Sequence, residues 1–368
     1  MTKATAPGKI ILFGEHAVVY GQPALAVPVN QIHADAEVLD VDRAGGIWVN
    51  APDIGLHEEL SRIAPDDALA TVIRSVFSAL GISVIARRTL SDEAISLTVM
   101  EIASSQTHAP RKDMREGIEI KITSTIPLAS GLGSGAAVSV AIIRALSAHL
   151  GHPLRDERVN EIAYEVEKIH HGTPSGIDNT VVTYGKPIFF LKIPYWVFPP
   201  ISGSKFPPPK GEKSPRWGRK DRNAIELLNV AKPFTIIIGD TGIPAPTKES
   251  VADVRKLWEQ NPHEIETLFA AAGSIAKTAR QSIEGGHPER LGALMNENQR
   301  ILQEMGVSSP ELDRLTEASL KSGASGAKLS GGGRGGNMIA LSTKENAPTI
   351  VEALYKAGAK NVIVTNIE

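Results

Sequence analysis

Apolar and polar residues follow two rhythms along this chain, and the places where the rhythm changes mark out its elements. Lys9 to Phe13 is a short β-rich run between Ala6-Pro7-Gly8 and Gly14-Glu15-His16, followed by a second apolar segment, Ala17 to Gly21. Glycine and proline at both ends mark such a run as a strand. Ala24 to Val29 and His33 to Val41 read as two further strands, the second alternating Ala34, Ala36 and Val38 with charged neighbours. From Asp66 to Leu80 the period lengthens. Leu69, Val72, Ile73, Val76 and Leu80 recur at helical spacing and Gly81 ends the run. Alternation returns at Ile118 to Ile122, which delivers the chain into a glycine-rich loop, and Ala136 to Leu150 then reads as a helix closed by Gly151 and Pro153. A second helix is expected over Asp156 to His171, with Val159, Ile162, Ala163, Val166 and Ile169 as its core-facing stripe. After the turn Gly172 to Gly176, Thr180 to Tyr184 reads as β-like and Ile188 to Ile193 as a strand.

The second half alternates helices with strands. Phe234 to Gly239 is a buried type of strand, and helices are expected near 248–259, 263–283, 288–305 and 310–322. Asn261-Pro262 and Ser309-Pro310 each place a capping residue before proline at the first helical position. Ala327 to Ser330 and Asn337 to Ser342 flank a second glycine-rich stretch, and a helix from Ala347 to Ala357 precedes a last strand, Asn361 to Thr365. Two stretches break the pattern. Ser104 to Glu116 is polar and uneven, a surface excursion, and Pro194 to Asn223 holds seven prolines up to Pro215 among many lysines and arginines. The latter reads as a basic insertion or linker, with a lid over an anionic ligand as the alternative.

A length of 368 residues exceeds what one hydrophobic core organises. Two domains are expected, 1–193 and 232–368, joined by 194–231. Lysine and arginine number 39 against 41 acidic residues, so no net field draws nucleic acid or an anionic membrane, and neither is expected as a partner. The absence of cysteine excludes disulfides, thiolate metal sites and a cysteine nucleophile. Residues 1–10 show no apolar signal core, and no apolar run reaches the roughly 18 residues of a membrane span. A cytoplasmic location is expected.

The loop Pro127 to Ala137 reads Pro-Leu-Ala-Ser-Gly-Leu-Gly-Ser-Gly-Ala-Ala. Gly131, Gly133 and Gly135 leave few Cβ atoms to crowd a ligand, and the helix that follows offers free N–H groups and a positive dipole end. A phosphate cradle fits this pattern, and so does a tight strand-to-helix turn packed in the core. Gly331 to Gly336 hold five glycines in six positions and match G-x-G-x-x-G. A dinucleotide site would need a helix next, whereas Asn337 to Leu341 reads as a strand, so this is a hairpin whose tip can approach something closely. Neither Gly8-Lys9-Ile10 nor Gly185-Lys186-Pro187 completes a Walker loop.

If the chain cradles phosphate and holds Mg²⁺, oxygen ligands are required, and Ser134 with Glu167 form the natural pair. Phosphoryl transfer further needs a proton acceptor and a cation, for which Asp178 and Lys9 fit. Each has a plain structural alternative: Glu167 as a solvated helix residue at the edge of the buried face, Asp178 as a turn former, Lys9 as an exposed strand end. His170 and His171 are consecutive, point to different sides of a helix end, and read as polar turn residues. His16, leaving a strand beside Lys9 and Glu15, is the better candidate for touching a substrate.

Three separated motifs resemble motifs one, two and three of the GHMP kinases: Pro7-Gly-Lys-Ile-Ile-Leu-Phe-Gly-Glu-His-Ala-Val-Val-Tyr-Gly21, Gly131-Leu-Gly-Ser134 and Lys328-Leu-Ser-Gly-Gly-Gly333. The element Glu167 to Asn179 resembles the branch of that family acting on mevalonate. The likeness runs from about Ala6 to Leu341, interrupted at 101–116 and 194–231. It implies an α+β, two-domain fold, the N-terminal domain like the second domain of ribosomal protein S5 and the C-terminal one ferredoxin-like, with ATP and substrate in the cleft between them. It further implies ATP and Mg²⁺ as cofactors and transfer to the 5-hydroxyl of mevalonate, giving 5-phosphomevalonate for isoprenoid synthesis. By the same resemblance Asp178 is the base, Lys9 polarises the hydroxyl and Glu167 holds Mg²⁺. Glu15, His16, Ser175 and Thr247 match positions at the substrate. The nucleotide is expected on Pro127, Ser130, Gly131, Leu132, Gly133, Ser134, Gly135 and Ala136, with Gly331, Gly332 and Gly333. Gly135 departs from the family's usual serine, a magnesium ligand, so Ser134 or water takes that role, and Ala245 stands where arginine or another polar residue is common. Other GHMP kinase substrates, phosphomevalonate, homoserine or another hydroxyl of mevalonate, remain alternatives, as does a ligand-binding homologue without catalysis. Dimers are common in the family, and no stretch of this chain fixes one.

Overall fold

A computed structural model of the protein describes residues 1–42, 46–88, 95–101, 117–127, 130–171, 174–192, 224–245 and 247–368, with the backbone alone at 83–88, 95–101, 170 and 171. The expected surface excursion at 104–116, the basic insertion at 194–223 and the side chains of His170 and His171 lie outside these.

The first elements are β1 (Thr2–Phe13), β2 (Pro23–Val41), β3 (Ile47–Ala51), β4 (Leu56–Glu59), α1 (Ala68–Ala79), β5 (Ile82–Arg88), β6 (Ile95–Glu101), β7 (Gly117–Ser124), α2 (Ser134–His149), α3 (Asp156–His171) and α4 (Ile177–Tyr184). They are followed by β8 (Ile188–Leu191), β9 (Ala224–Leu227), β10 (Phe234–Asp240), α5 (Thr247–Gln260), α6 (Pro262–Glu284), α7 (Leu291–Glu304), α8 (Pro310–Lys321), β11 (Gly326–Ser330), β12 (Asn337–Ser342), α9 (Ala347–Lys356) and β13 (Asn361–Ile367). The chain divides into two compact units, one of Met1–Ile10 with Pro28–Lys186, the other of Ile11–Val27 with Pro187–Glu368. It passes from one to the other inside β1 and again inside β2.

In the first unit the strands run β4-β3-β7-β2, with β3 parallel to β7 and the other neighbours antiparallel. The alternation read from Ala34 to Val38 is the buried face of this sheet: Ala36 lies opposite Ile122 and Val38 opposite Ile120, all four buried. Asp67 begins α1 by accepting hydrogen bonds from the N–H groups of Leu69 and Ala70. The alanine-rich α2 is apolar on nearly every side and packs among α1, α3 and α4, as a helix without a polar face must.

In the second unit β10 to β13 form an antiparallel sheet in the order β11-β12-β10-β13. Numbered within this sheet, that is second-third-first-fourth, the ferredoxin-like arrangement. Helices α7, α8 and α9 cover its strands. The segment Ile11–Val27 is seated here through Tyr20, whose ring stacks on Phe269 with centroids 4.1 Å apart, and through Gln22, which lies against Gly273 of α6. No helix among the described residues is long and apolar enough to cross a membrane.

Three expectations change. Ala24 to Val29 and His33 to Val41 belong to one 19-residue strand, because Pro28 falls between the stretch paired with β8 and the stretch paired with β7, where its missing N–H breaks neither ladder. Thr180 to Tyr184 is helical: the β-branched run is buried on almost every side between α2 and α3, and Thr180 Oγ1 returns its proton to Gly176 O at 2.6 Å. Packing here overrides local propensity. The stripe of α3 holds as far as Val166, but Ile169 is 45% exposed while Glu167, expected at the edge, is 3% exposed.

Gly14 permits the turn after β1. Its φ is +94°, and a Cβ would come within 2.4 Å of Pro23 O. Gly14→Ala should therefore cost more than the roughly 1–2 kcal/mol of backbone strain alone, read as a lower urea midpoint; an unchanged midpoint contradicts this account of the turn.

Candidate active site

Three elements of the first unit bring charge together. Lys9 stands on β1, its backbone N–H bonded to Leu132 O at 2.9 Å, so the strand lies directly against the first glycine-rich loop. Its ammonium reaches Asp178 Oδ2 at 3.0 Å, with the lysine side chain 5% and the aspartate 27% exposed. Lys9 is thus no exposed strand end. Asp178 sits in the first turn of α4, after Gly176 with φ +93°, where a carboxylate complements the helix dipole. Glu167 of α3 is buried nearby, and desolvation, with the Asp178 carboxylate adding to it and Lys9 opposing, pushes its carboxyl up to about 8.

The loop that faces Lys9 is a helix start. Gly131 and Gly133 have φ +81° and +80°, and Gly133 immediately precedes α2. A Cβ on Gly133 would lie 2.7 Å from Lys9 Cγ, so glycine is what lets the lysine stem cross the loop. Ser130 Oγ donates to Pro127 O at 2.8 Å and braces the turn; residues 128 and 129 lie outside the described ones. Ser134, Gly135 and Ala136 form the first turn of α2, whose N–H groups have no acceptor within the helix. Ser175 Oγ accepts from Ile177 N–H at 3.3 Å, which places the serine in the turn that launches α4.

The second unit carries the other expected residues. His16 follows the Gly14 turn at φ +58°, and its Nε2 donates to Gly332 O at 3.1 Å. Burial pushes the imidazole down to about 4, so it is neutral with its proton on Nε2. Glu15 is enclosed and ion-paired with Lys328 of β11. The Gly331 to Gly336 stretch is a hairpin tip between β11 and β12, as its sequence implies. Its glycines answer close neighbours: a Cβ would meet Thr247 Oγ1 at 2.8 Å from Gly332 and Val307 O at 2.0 Å from Gly333. Thr247, at the start of α5, is thereby brought to the tip, while Pro246 lies outside the described residues. Arg334 holds the tip at φ +58° and reaches Asp253 of α5 at 2.5 Å. The sequence reading takes Lys328 only as the first residue of a motif and passes over Arg334 and Asp253. A charge inside an apolar strand marks Lys328 and a charge inside a glycine run marks Arg334, and Asp253 on α5 carries no signal.

The donor set suits a hard divalent cation. Glu167 is a buried carboxylate whose charge a neighbouring carboxylate opposes, and a cation removes that penalty. Among the described residues no cluster of three or more acidic or histidine side chains could hold a metal alone, so a cation at Glu167 would take further ligands from substrate phosphates and water, as Mg²⁺ usually does.

The buried neutral imidazole sets a pH dependence. Its folded pKa lies below the unfolded value near 6.5, so on acidification the unfolded chain takes up a proton that native His16 refuses. Stability is full above about pH 6.5 and falls toward pH 4 by up to about 3 kcal/mol. His16→Asn should remove that share of the acid slope in urea unfolding; equal slopes for both proteins contradict it.

Family models described as the GHMP kinases N terminal domain and the GHMP kinases C terminal match residues 96–186 and 279–360. The mevalonate kinase of Thermococcus sibiricus is 34% identical, the alignment covering 98% of this chain and 94% of that protein. That of Pyrococcus furiosus is 35% identical with the same coverage. Among solved structures, L. major mevalonate kinase in complex with R-mevalonate matches with a TM-score of 0.73 at 26% identity, covering 100% of this chain and 96% of that one. With motif, fold and near full-length similarity in agreement, the chain belongs to the GHMP kinase family and counts the mevalonate kinases among its relatives.

Proposed function

We propose that this protein transfers the γ-phosphoryl group of ATP to the 5-hydroxyl of mevalonate, giving 5-phosphomevalonate and ADP for isoprenoid precursor synthesis. The observation that carries this reading is the Lys9–Asp178 pair at 3.0 Å, set against the glycine-rich start of α2 in a chain similar to mevalonate kinases over 98% of its length.

Asp178 accepts the proton of the 5-hydroxyl as its oxygen bonds to the γ-phosphorus and the bond to the β–γ bridging oxygen breaks. Lys9 orients Asp178 through their ion pair, and its ammonium offsets charge on the attacking oxygen and the transferred group. The first-turn N–H groups of α2 at Ser134, Gly135 and Ala136 hold phosphate oxygens, with Pro127, Ser130, Gly131, Leu132 and Gly133 shaping the loop. Gly331, Gly332 and Gly333 are proposed to serve the nucleotide and His16, Ser175 and Thr247 the substrate. Mg²⁺, held by Glu167 and Ser134, would neutralise phosphate charge. We propose a cytoplasmic location and leave room for a homodimer.

Purified protein with Mg-ATP should release ADP on addition of mevalonate and not of homoserine or phosphomevalonate; absence of release with mevalonate overturns the assignment. Asp178→Asn should lower kcat by about 10²–10⁴-fold with an unchanged circular dichroism spectrum. Gly133→Ala tests the loop. It adds left-handed backbone strain and a clash with Lys9, whereas Gly55→Ala, at φ +67° with nothing within 4 Å, adds only the strain. Gly133→Ala should lose more than about tenfold in kcat/KM, and Gly55→Ala little, because only the former moves Lys9.

A further inference from the structure

Alternate positions from Lys328 and Ser330 on β11 to Gly332 just beyond it grip three points of the chain that follows Lys9. Lys328 Nζ is ion-paired with Glu15, Ser330 Oγ donates to Ile11 O at 2.7 Å, and Gly332 O accepts from His16 Nε2 at 3.1 Å. The side chains of Lys328 and Glu15 are both 0% exposed. A carboxylate that reads a ligand must present an oxygen to it, and Glu15 has no surface to present. Two buried charges are costly to desolvate, and an apolar pair of similar volume is often as stable. What the pair adds here is registration. His16 at φ +58° holds a left-handed backbone that, outside glycine, persists only where the surroundings over-determine it.

We infer that Glu15 and Lys328 are positioning residues: the pair clasps the turn carrying His16 to the glycine-rich hairpin, and Glu15 does not contact the substrate. The inference rests on the proposed kinase reaction for its kinetic readout, and on His16 for one that needs no turnover.

A double-mutant cycle with Glu15→Gln and Lys328→Met tests it, scored by kcat and KM for mevalonate and by the ¹⁵N shifts of the His16 ring. Either single change leaves a buried charge without its counterion. Each should lower kcat at least tenfold, with the mevalonate KM changing less than about threefold, and should disturb the Nε2–H signature of His16. The double variant should recover at least tenfold in kcat over the weaker single variant and regain the wild-type shifts. If the singles do not fold, the double variant decides alone, being folded and active. A mevalonate KM raised tenfold or more in Glu15→Gln and equally in the double variant assigns Glu15 to the substrate and overturns the inference. A double variant that unfolds where the wild type is folded overturns it too. A wild type without turnover of mevalonate defeats the proposed reaction; the His16 shifts then decide the clasp, unaltered shifts in the singles overturning it.

Discussion

One buried ammonium facing two carboxylates is the constraint on which the catalytic half of the first unit depends. Lys9 meets Asp178 directly, and the charge of Asp178 adds to the desolvation that raises Glu167. Three ionisable groups from β1, α3 and α4 converge there, and none could be buried alone at tolerable cost. The arrangement carries one negative charge more than Lys9 can balance when both acids are ionised. Phosphate would worsen that imbalance, and a divalent cation beside Glu167 reverses it. Without a ligand the group avoids that charge by holding a proton on Glu167, whose carboxyl burial and Asp178 push up to about 8, and the cation proposed for this site would take that proton's place.

Geometry follows from that demand. A lysine stem long enough to reach Asp178 has to cross the loop before α2, and it crosses at the one residue, Gly133, whose missing side chain leaves room. The conformational freedom of glycine and its lack of a Cβ are both in use at this position, since φ is +80° as well. The backbone bond from Lys9 N–H to Leu132 O fixes strand to loop one residue away. The glycine-rich loop and the ammonium are thus held together by two adjacent local contacts.

Much of this was legible in the sequence because the relevant signals are local. The period of Val159, Ile162, Ala163 and Val166 fixes α3, and the spacing from Glu167 to Asp178 follows the chain. What escaped depended on tertiary partners. Thr180 to Tyr184 carries β-branched residues that favour a strand in isolation, and only enclosure by α2 and α3 makes it a helix. That places Asp178 in a helical first turn instead of a loop. The resemblance puts Glu15 at the substrate, and nothing in its sequence neighbourhood announces an ion pair with a lysine 313 residues away.

The two glycine-rich stretches are alike in composition and differ in what presses on them. At Gly133 it is the stem of Lys9, 2.7 Å from where a Cβ would sit, beside a helix start whose N–H groups have no partner within the helix. At the hairpin tip the crowding falls on Gly332, Gly333 and Gly335, where Thr247, Val307 and Ile243 press on the backbone from sides where a Cβ would sit at 2.0 to 2.8 Å, while Gly331 is open. A tip so enclosed cannot adjust to a ligand by moving alone. Its shape is set by what holds it: Arg334 to Asp253 on one side, and His16 bonded to Gly332 O on the other. For that reason Arg334, Asp253 and His16 shape the tip as much as its own glycines do.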